Sequence, residues 1–519
     1  MDGGRRPGTV AGADGGAGGL ARVLPGRRPG DRAGGGQPVI DLSAVHIDYQ
    51  TVLPELVVTG TIVVVLLLDL VVPPDRRRWL AVVSVVGLAI ALIASIPLWG
   101  QHRSAFADTM AGDSFAAFFN VLLLAVTILT VLISPRYLRC VHLDFGEYYA
   151  LVLSAAAGMM LLAAATSLMT IFLGIELLSL ALYVLCSFSR LQEHSQESGL
   201  KYLLLGGFAT GFLLYGMALI YGATGSTTLL GIRAFVTSSP GTNVLLLLGI
   251  GFLSVGLAFK ASAAPFHMWT PDVYEGAPTI VTTFMSVATK AAAFAAVGRI
   301  FVATLPSLEA QWYVPLALIA VLSMSIGNVV AITQSNLKRL LAYSGIAHAG
   351  FIFLGILPGT TDGLAASLFY IAAYAAMNFG AFAVVTALDA KGEHADELTY
   401  WTGLFYRRPF LATTMTIFML SLAGIPPTVG FFAKLFVFQA LVTAHLWIPL
   451  IVGILTTVIS LYYYLRVIVV MVTVPEGAPV EREGVGLPMT VVVGLSALGT
   501  TVMGLVPQVF GWALQATRF

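Results

Sequence analysis

The chain has 519 residues, of which 58% are hydrophobic and 10% charged, against about 25% charged in an average soluble domain. Such a chain cannot cover a water-facing surface, and 27 Lys+Arg set against 26 Asp+Glu leave no basic face for nucleic acid. Two cysteines exclude a disulfide scaffold, and neither Cys140 nor Cys186 has a second cysteine at metal-ligand spacing.

Residues 1–50 differ in composition from everything after them. Met1 to Pro38 is rich in Gly, Ala, Arg and Pro without an apolar period. Such a stretch cannot bury enough surface to fold. It is expected to be a disordered extension or the product of a start codon assigned too early. Residues 51–519 form a separate membrane domain. Their apolar runs approach the roughly 20 residues needed to cross about 30 Å of hydrocarbon. Spans are predicted near 51–72, 79–99, 114–134, 147–165, 167–189, 199–222, 243–269, 278–304, 312–334, 339–357, 363–388, 409–442, 446–472 and 488–513. The fold class is therefore an all-α polytopic membrane protein with about fourteen transmembrane helices. The seventh span is interrupted at Pro265 and the twelfth at Gly424-Ile425-Pro426-Pro427. Proline removes a helix hydrogen bond, and membranes tolerate such breaks where protein or water re-satisfies the backbone. Two broken helices five spans apart point to an internal repeat of the transporter kind.

The cations set the orientation. Alternate loops hold Arg76, Arg77, Arg78, Arg136, Arg139, Arg190, Lys338, Arg339, Lys391, Arg407, Arg408, Arg466 and Arg482, while the opposite side holds Arg103, Arg233 and Arg518. This bias assigns the larger set to the cytoplasm and both termini to the outside. Six tail arginines then fall on the wrong side, a second reason to separate the tail. Arg299 is expected to snorkel from the outer end of its span, and Lys338-Arg339 to act as a topology signal.

Four lysines remain. Lys260 precedes the first break, Lys290 lies inside the eighth span, Lys434 follows the second break, and Lys201 stands near a span end. Glu176 is the deeply embedded acid in this reading, Asp69 being close to the cytoplasmic end of the first span. A charge at mid-bilayer costs roughly 2.5–3.5 kcal/mol on insertion scales and marks function by default. A buried ion pair that merely fixes packing accounts for one lysine with Glu176, not for three. Lysine suits proton relay because desolvation eases release of its proton and an approaching carboxylate restores it. His348 could bridge distant lysines, since neutral imidazole both donates and accepts. A core histidine bonded to a hydroxyl is the competing reading for His348, and an interfacial snorkelling lysine the competing reading for Lys201. Asp272 and Glu275, in the polar stretch 270–278, are expected to serve as helix caps and turn residues. No phosphate loop, iron–sulfur cysteine cluster or haem histidine pair is recognisable.

Three stretches carry a resemblance: AFKASAAPFHMWTPDVYEGAP from Ala258, QSNLKRLLAYSGIAHAGF from Gln334, and GIPPTVGFFAKLFVF from Gly424. They resemble the antiporter-like subunits of respiratory complex I, over essentially all of 51–513. Among these the chain is most similar to the subunit N branch. The spelling TPDVYEGAP, a lysine rather than a glutamate at 434, and the lack of a long C-terminal lateral helix favour that branch. The resemblance implies two inverted five-helix repeats, broken in the seventh and twelfth helices. It matches Glu176 to the fifth-helix glutamate, Lys201 to a sixth-helix lysine, and Lys260 to the seventh-helix lysine. Lys290 matches a connecting lysine, His348 a central-axis histidine and Lys434 the twelfth-helix lysine. The activity it implies is proton translocation in the membrane arm of NADH:quinone oxidoreductase, relayed through these residues and driven by electron transfer elsewhere. No cofactor is expected in this chain; NADH, FMN, iron–sulfur clusters and quinone belong to partner subunits. The expected partners are neighbouring antiporter-like subunits and the lipid bilayer, with no nucleic acid, in a bacterial inner membrane. A multisubunit cation/proton antiporter and a structural membrane scaffold are the alternatives.

Overall fold

The computed structural model describes residues 48–238, 243–389, 396–473 and 486–519. The N-terminal extension expected over 1–50, save its last three residues, lies outside them, as do Lys391 and Arg482.

In chain order the helices are α1 (Tyr49–Asp69), α2 (Arg78–Ser95), α3 (Ser114–Cys140), α4 (Glu147–Ala164), α5 (Leu168–Cys186), α6 (Glu193–Thr224), α7 (Leu229–Ser238), α8 (Val244–Lys260), α9 (Trp269–Gly276), α10 (Thr279–Val297), α11 (Glu309–Ile332), α12 (Leu337–Ile356) and α13 (Thr361–Asp389). They continue with α14 (Leu404–Arg407), α15 (Pro409–Ala423), α16 (Val429–Thr443), α17 (Trp447–Val472), α18 (Leu487–Leu505) and α19 (Phe510–Ala516). Among the described residues the only sheet is a hairpin, β1 (His102–Ala105) paired antiparallel with β2 (Met110–Asp113), in the loop after α2. Among the described residues, twelve helices are long and apolar enough to cross a membrane. The two remaining predicted spans fall on shorter apolar helices at the predicted breaks: α8 ends at Lys260, and α15 and α16 are separated by 424–428. Two features escaped the periodicity: the loop after α6 carries α7, and the polar stretch 270–278 is largely helical, as α9.

Short polar residues start several helices, satisfying amide groups that have no intrahelical partner. Asp113 accepts from the Ala116 amide, Ser167 from Met169, Asn243 from Leu246 and Asn336 from Arg339. Small residues then allow the helix backbones to approach closely. A Cβ on Gly158 of α4 would stand 2.5 Å from the Leu178 amide nitrogen of α5. One on Gly327 of α11 would stand 2.6 Å from the Ala347 nitrogen of α12.

That correspondence extends further. Leu168 donates its amide to the Thr227 carbonyl at 2.8 Å, and Leu229 returns a bond to Thr166 at 2.8 Å. In the second half Leu337 donates to Asp396 at 2.5 Å and Leu398 returns a bond to Ser335 at 2.9 Å. One constant offset relates Gly158 to Gly327, Ser167 to Asn336, Leu178 to Ala347 and Thr228 to Glu397. The bridges Ser167–Thr228 and Asn336–Glu397 are thus the same local structure built twice. In each half a broken pair of helices follows, α8–α9 and α15–α16.

α10, α12 and α13 form the buried centre of the bundle, whereas α1, α2 and α18 expose apolar side chains along much of their length. Charges placed on the central helices are therefore enclosed by protein.

Candidate functional site

Lys260 is the last residue of α8 and is buried. Its Nζ donates to Ser179 Oγ at 2.7 Å and lies 5.5–5.6 Å from the ring centres of Tyr183, Tyr202 and Phe259, an aromatic enclosure suited to a cation. The break after Lys260 is held by other elements. Trp269 Nε1 donates to the Phe259 carbonyl at 3.1 Å, and the Ala264 amide donates to Ser323 Oγ of α11 at 2.8 Å. Glu176 stands one turn from Ser179 on α5. Among the described residues it makes no ion pair within 4 Å; its Oε1 accepts from Thr210 Oγ1 of α6 at 2.8 Å. The Glu176 carboxylate of α5 and the Lys260 ammonium of α8 are therefore each held by a separate hydroxyl, Thr210 and Ser179.

Lys290, on α10, is 1% exposed and donates to the Tyr274 hydroxyl of α9 at 3.3 Å. His348, on α12, is clamped on both sides, with Nδ1 2.8 Å from the Tyr370 hydroxyl and Nε2 3.0 Å from the Tyr464 hydroxyl. Both ring nitrogens thus meet hydroxyls, and the hydroxyls form a network: Tyr464 also contacts Ser344 Oγ at 2.5 Å. Lys434, buried on α16, donates to the Leu422 and Ala423 carbonyls at 3.3 and 3.0 Å. These end α15, so the ammonium sits at the negative end of that helix dipole.

α12 orders these groups. Its Gly345 faces Lys290, a Cβ there falling 3.1 Å from Lys290 Nζ; three residues on is His348; three further on, the Phe351 ring lies 5.1 Å from Lys434 Nζ. At 1.5 Å rise per residue this is a climb of about 9 Å, from one lysine past the histidine to the other.

Lys201 is part of a different cluster. Its side chain is 42% exposed and donates to Glu197 and Asp272 at 2.7 and 2.9 Å. Arg339 reaches the same Asp272 at 2.8 Å and Glu275 at 2.7 Å. Burial pulls the Asp272 carboxyl upward, but hydrogen bonds from Lys201 and Arg339 outweigh it and hold the group below the usual carboxylate range. These residues, with Lys338 and Asp389, line a charged cavity of about 820 Å³.

Several expectations are corrected here. Asp272 and Glu275 are not simple turn residues, because Arg339 crosses from α12 to clamp both. Lys338 is 7% exposed, with Nζ 3.4 Å from Thr279 Oγ1, which itself donates to Asp389 at 2.6 Å; it is enclosed rather than a free topology signal. Arg299 does not snorkel. Its guanidinium pairs with Asp113 at 2.9 and 2.8 Å, 3% exposed, and its Nε donates to the Ala163 carbonyl at 2.8 Å. A π-helical turn, Gly298–Thr304, aims it inward. Glu176 is also not the only embedded acid: Glu55 of α1 accepts from Asn120 Nδ2 at 3.2 Å, and its Oε2 is buried without a partner among the described residues.

Comparison with known proteins gives this geometry a family. Residues 165–460 match the family model described as NADH:quinone oxidoreductase/Mrp antiporter, TM. The chain is 45% identical over 475 residues to NADH-quinone oxidoreductase subunit N of Trichlorobacter lovleyi, covering 91% of this chain and 97% of that protein. It is similar to a chain of respiratory complex I from Thermus thermophilus with bound aureothin, at 36% identity and a TM-score of 0.74 over 88% of this chain and 97% of that one. A chain of the Mrp complex from a Dietzia species shares the fold, with a TM-score of 0.78 at 20% identity over 91% and 97% of the two chains. A membrane bundle with lysines at both helix breaks, matched over nearly its whole described length by such relatives, belongs to the NADH-quinone oxidoreductase subunit N family.

Proposed function

We propose that this chain is a proton-translocating membrane-arm subunit of NADH:quinone oxidoreductase. It would work beside other antiporter-like membrane subunits and hold no redox centre of its own. The observation that carries the reading is the ordering along α12: Lys290, His348 and Lys434 meet one helix at successive turns. Lys260 supplies the inner end of the series. When Glu176 and Lys260 draw together, the ammonium is stabilised; when they separate, Lys260 hands its proton towards Lys290, and His348 passes it to Lys434 for release outside. NADH, FMN, iron–sulfur clusters and quinone belong to partner chains, whose electron transfer perturbs the charge near Glu176. Lys201, with Glu197, Asp272 and Arg339, sits in the inner charged cavity and feeds the relay. The chain lies in a bacterial inner membrane with both termini outside. The recurrent Ser167–Thr228 and Asn336–Glu397 bridges support a repeat, and five crossings per repeat make it an inverted one.

The test replaces Lys260 by Ala in the assembled complex and compares protons translocated with NADH oxidised. Undiminished translocation at intact assembly overturns the relay. The fold shared with the Mrp chain keeps a cation/proton antiporter as the second reading, which predicts translocation without NADH-oxidising partners.

A further inference from the structure

α12 has a gap in its side-chain surface at Gly345, and two polar groups face it. A Cβ built there would stand 2.8 Å from the Tyr374 hydroxyl of α13 and 3.1 Å from Lys290 Nζ of α10. Tyr374 is 1% exposed, and its hydroxyl has no hydrogen-bond partner among the described residues. Buried hydroxyls are normally paired, and one that is not needs a reason. Lys290 uses one long bond, 3.3 Å to Tyr274, although an ammonium carries three donors. The Tyr374 ring lies beside the histidine, ring centre to ring centre at 5.2 Å. Both nitrogens of His348 are already taken by Tyr370 and Tyr464, so the lysine has no direct route onto the imidazole. Glycine is also a poor choice inside a helix. At the same offset in the first half of the chain the position is Glu176, so one half carries a carboxylate where the other carries an opening.

We propose that the Tyr374 hydroxyl is a further proton-relay group, reached from Lys290 across the notch at Gly345. The inference rests on the relay reading above. In the step, an N–H bond of the Lys290 ammonium breaks as an O–H bond forms on Tyr374. The tyrosine's own hydrogen leaves towards the hydroxyl cluster around His348. Lys290 becomes neutral, Tyr374 is restored, the positive charge moves to the cluster, and no electrons are transferred. Gly345 is a positioning residue, since any side chain there fills the space that both groups share.

The experiment uses the assembled complex in membrane vesicles, with Tyr374→Phe, Gly345→Ala, the double variant and Lys290→Ala. Tyr374→Phe removes one oxygen and keeps the ring, so assembly is the control. Each single variant is expected to lower proton translocation by about a hundredfold, the low end of what a positioned proton-transfer group contributes. Because both act on one step, the double variant is expected to lose no more than either single one. Lys290→Ala with translocation lost and Tyr374→Phe with translocation intact would overturn this proposal alone. Lys290→Ala with translocation intact would overturn the relay reading and this proposal with it. Multiplying losses in the double variant would show two separate effects and overturn the shared step.

Discussion

Lys260 and Ser179 are joined by a 2.7 Å hydrogen bond, and the carboxylate one turn away on the same helix is not the lysine's partner. Glu176 takes its bond from Thr210 instead. Ser179 thus keeps the ammonium apart from the acid, and Thr210 keeps the acid apart from the ammonium. In a low-dielectric interior an unrestrained pair of this kind would collapse into contact. Ser179→Ala is expected to allow that collapse and slow translocation several-fold, since a pair that cannot reopen cannot release its proton. Ser179→Thr keeps the hydroxyl and should keep most of the rate. Equal rates in the Ala and Thr variants would show that the hydroxyl has no such role; the measurement is protons translocated per NADH oxidised at matched assembly.

The embedded lysines were legible in the sequence because lipid makes every charge conspicuous. Their partners were not. Ser179, Tyr274, Tyr370 and Tyr464 are ordinary residues of apolar helices, and only lateral packing brings their hydroxyls to Lys260, Lys290 and His348. The errors share one physical origin. Depth within a single span is readable from one segment, but pairing between segments is not. Arg299 near a span end therefore reads as snorkelling until Asp113, in a distant segment, is seen beside it. Arg339 reads as a topology signal until α9 is folded against α12. Glu55, near the start of the first span, is likewise met by Asn120 of α3, a contact that neither segment shows alone. The breaks at Pro265 and 424–427 were visible because proline and glycine act locally on their own backbone.

The Arg299–Asp113 pair leads to a stability prediction. Both side chains are buried, 4% and 8% exposed, and the bond is bidentate. Removing one partner of a buried pair strands the other charge and costs about 3–5 kcal/mol. Arg299→Ala is expected to lower the melting temperature and the yield of the detergent-solubilised complex. The double variant Arg299→Ala with Asp113→Asn removes the stranded charge and should recover part of the loss. A melting temperature unchanged in Arg299→Ala would show that the pair contributes nothing net.

The charged cavity gives a pH prediction. Asp272 is held below the usual carboxylate range by Lys201 and Arg339, against the opposing effect of burial. A carboxyl depressed in the folded state adds stability above its unfolded pKa of about 3.9, and that contribution fades as pH falls through the lower folded value. The clamp is therefore at full strength from pH 5 to 8. The difference in melting temperature between wild type and Asp272→Asn is expected to stay constant over that interval and to shrink only below about pH 4. A difference that disappears by pH 6 would mean that Asp272 is not held as the geometry indicates.

Orientation can be tested with the two cysteines of the chain. Cys140 is exposed at the end of α3, beside Arg136 and Arg139, whereas Cys186 is buried on α5. If the chain enters from outside, three crossings bring the end of α3 to the cytoplasmic face, the side that the excess of Lys and Arg also selects. A membrane-impermeant maleimide should then label Cys140 in inside-out vesicles and leave it unlabelled in right-side-out ones, with Cys186 reacting only after denaturation. Labelling from the outer face would invert the whole assignment. The cavity with Lys201, Asp272 and Arg339 would open outward, and Lys434 would deliver its proton to the cytoplasm, so this one cysteine decides the direction in which the proposed relay runs.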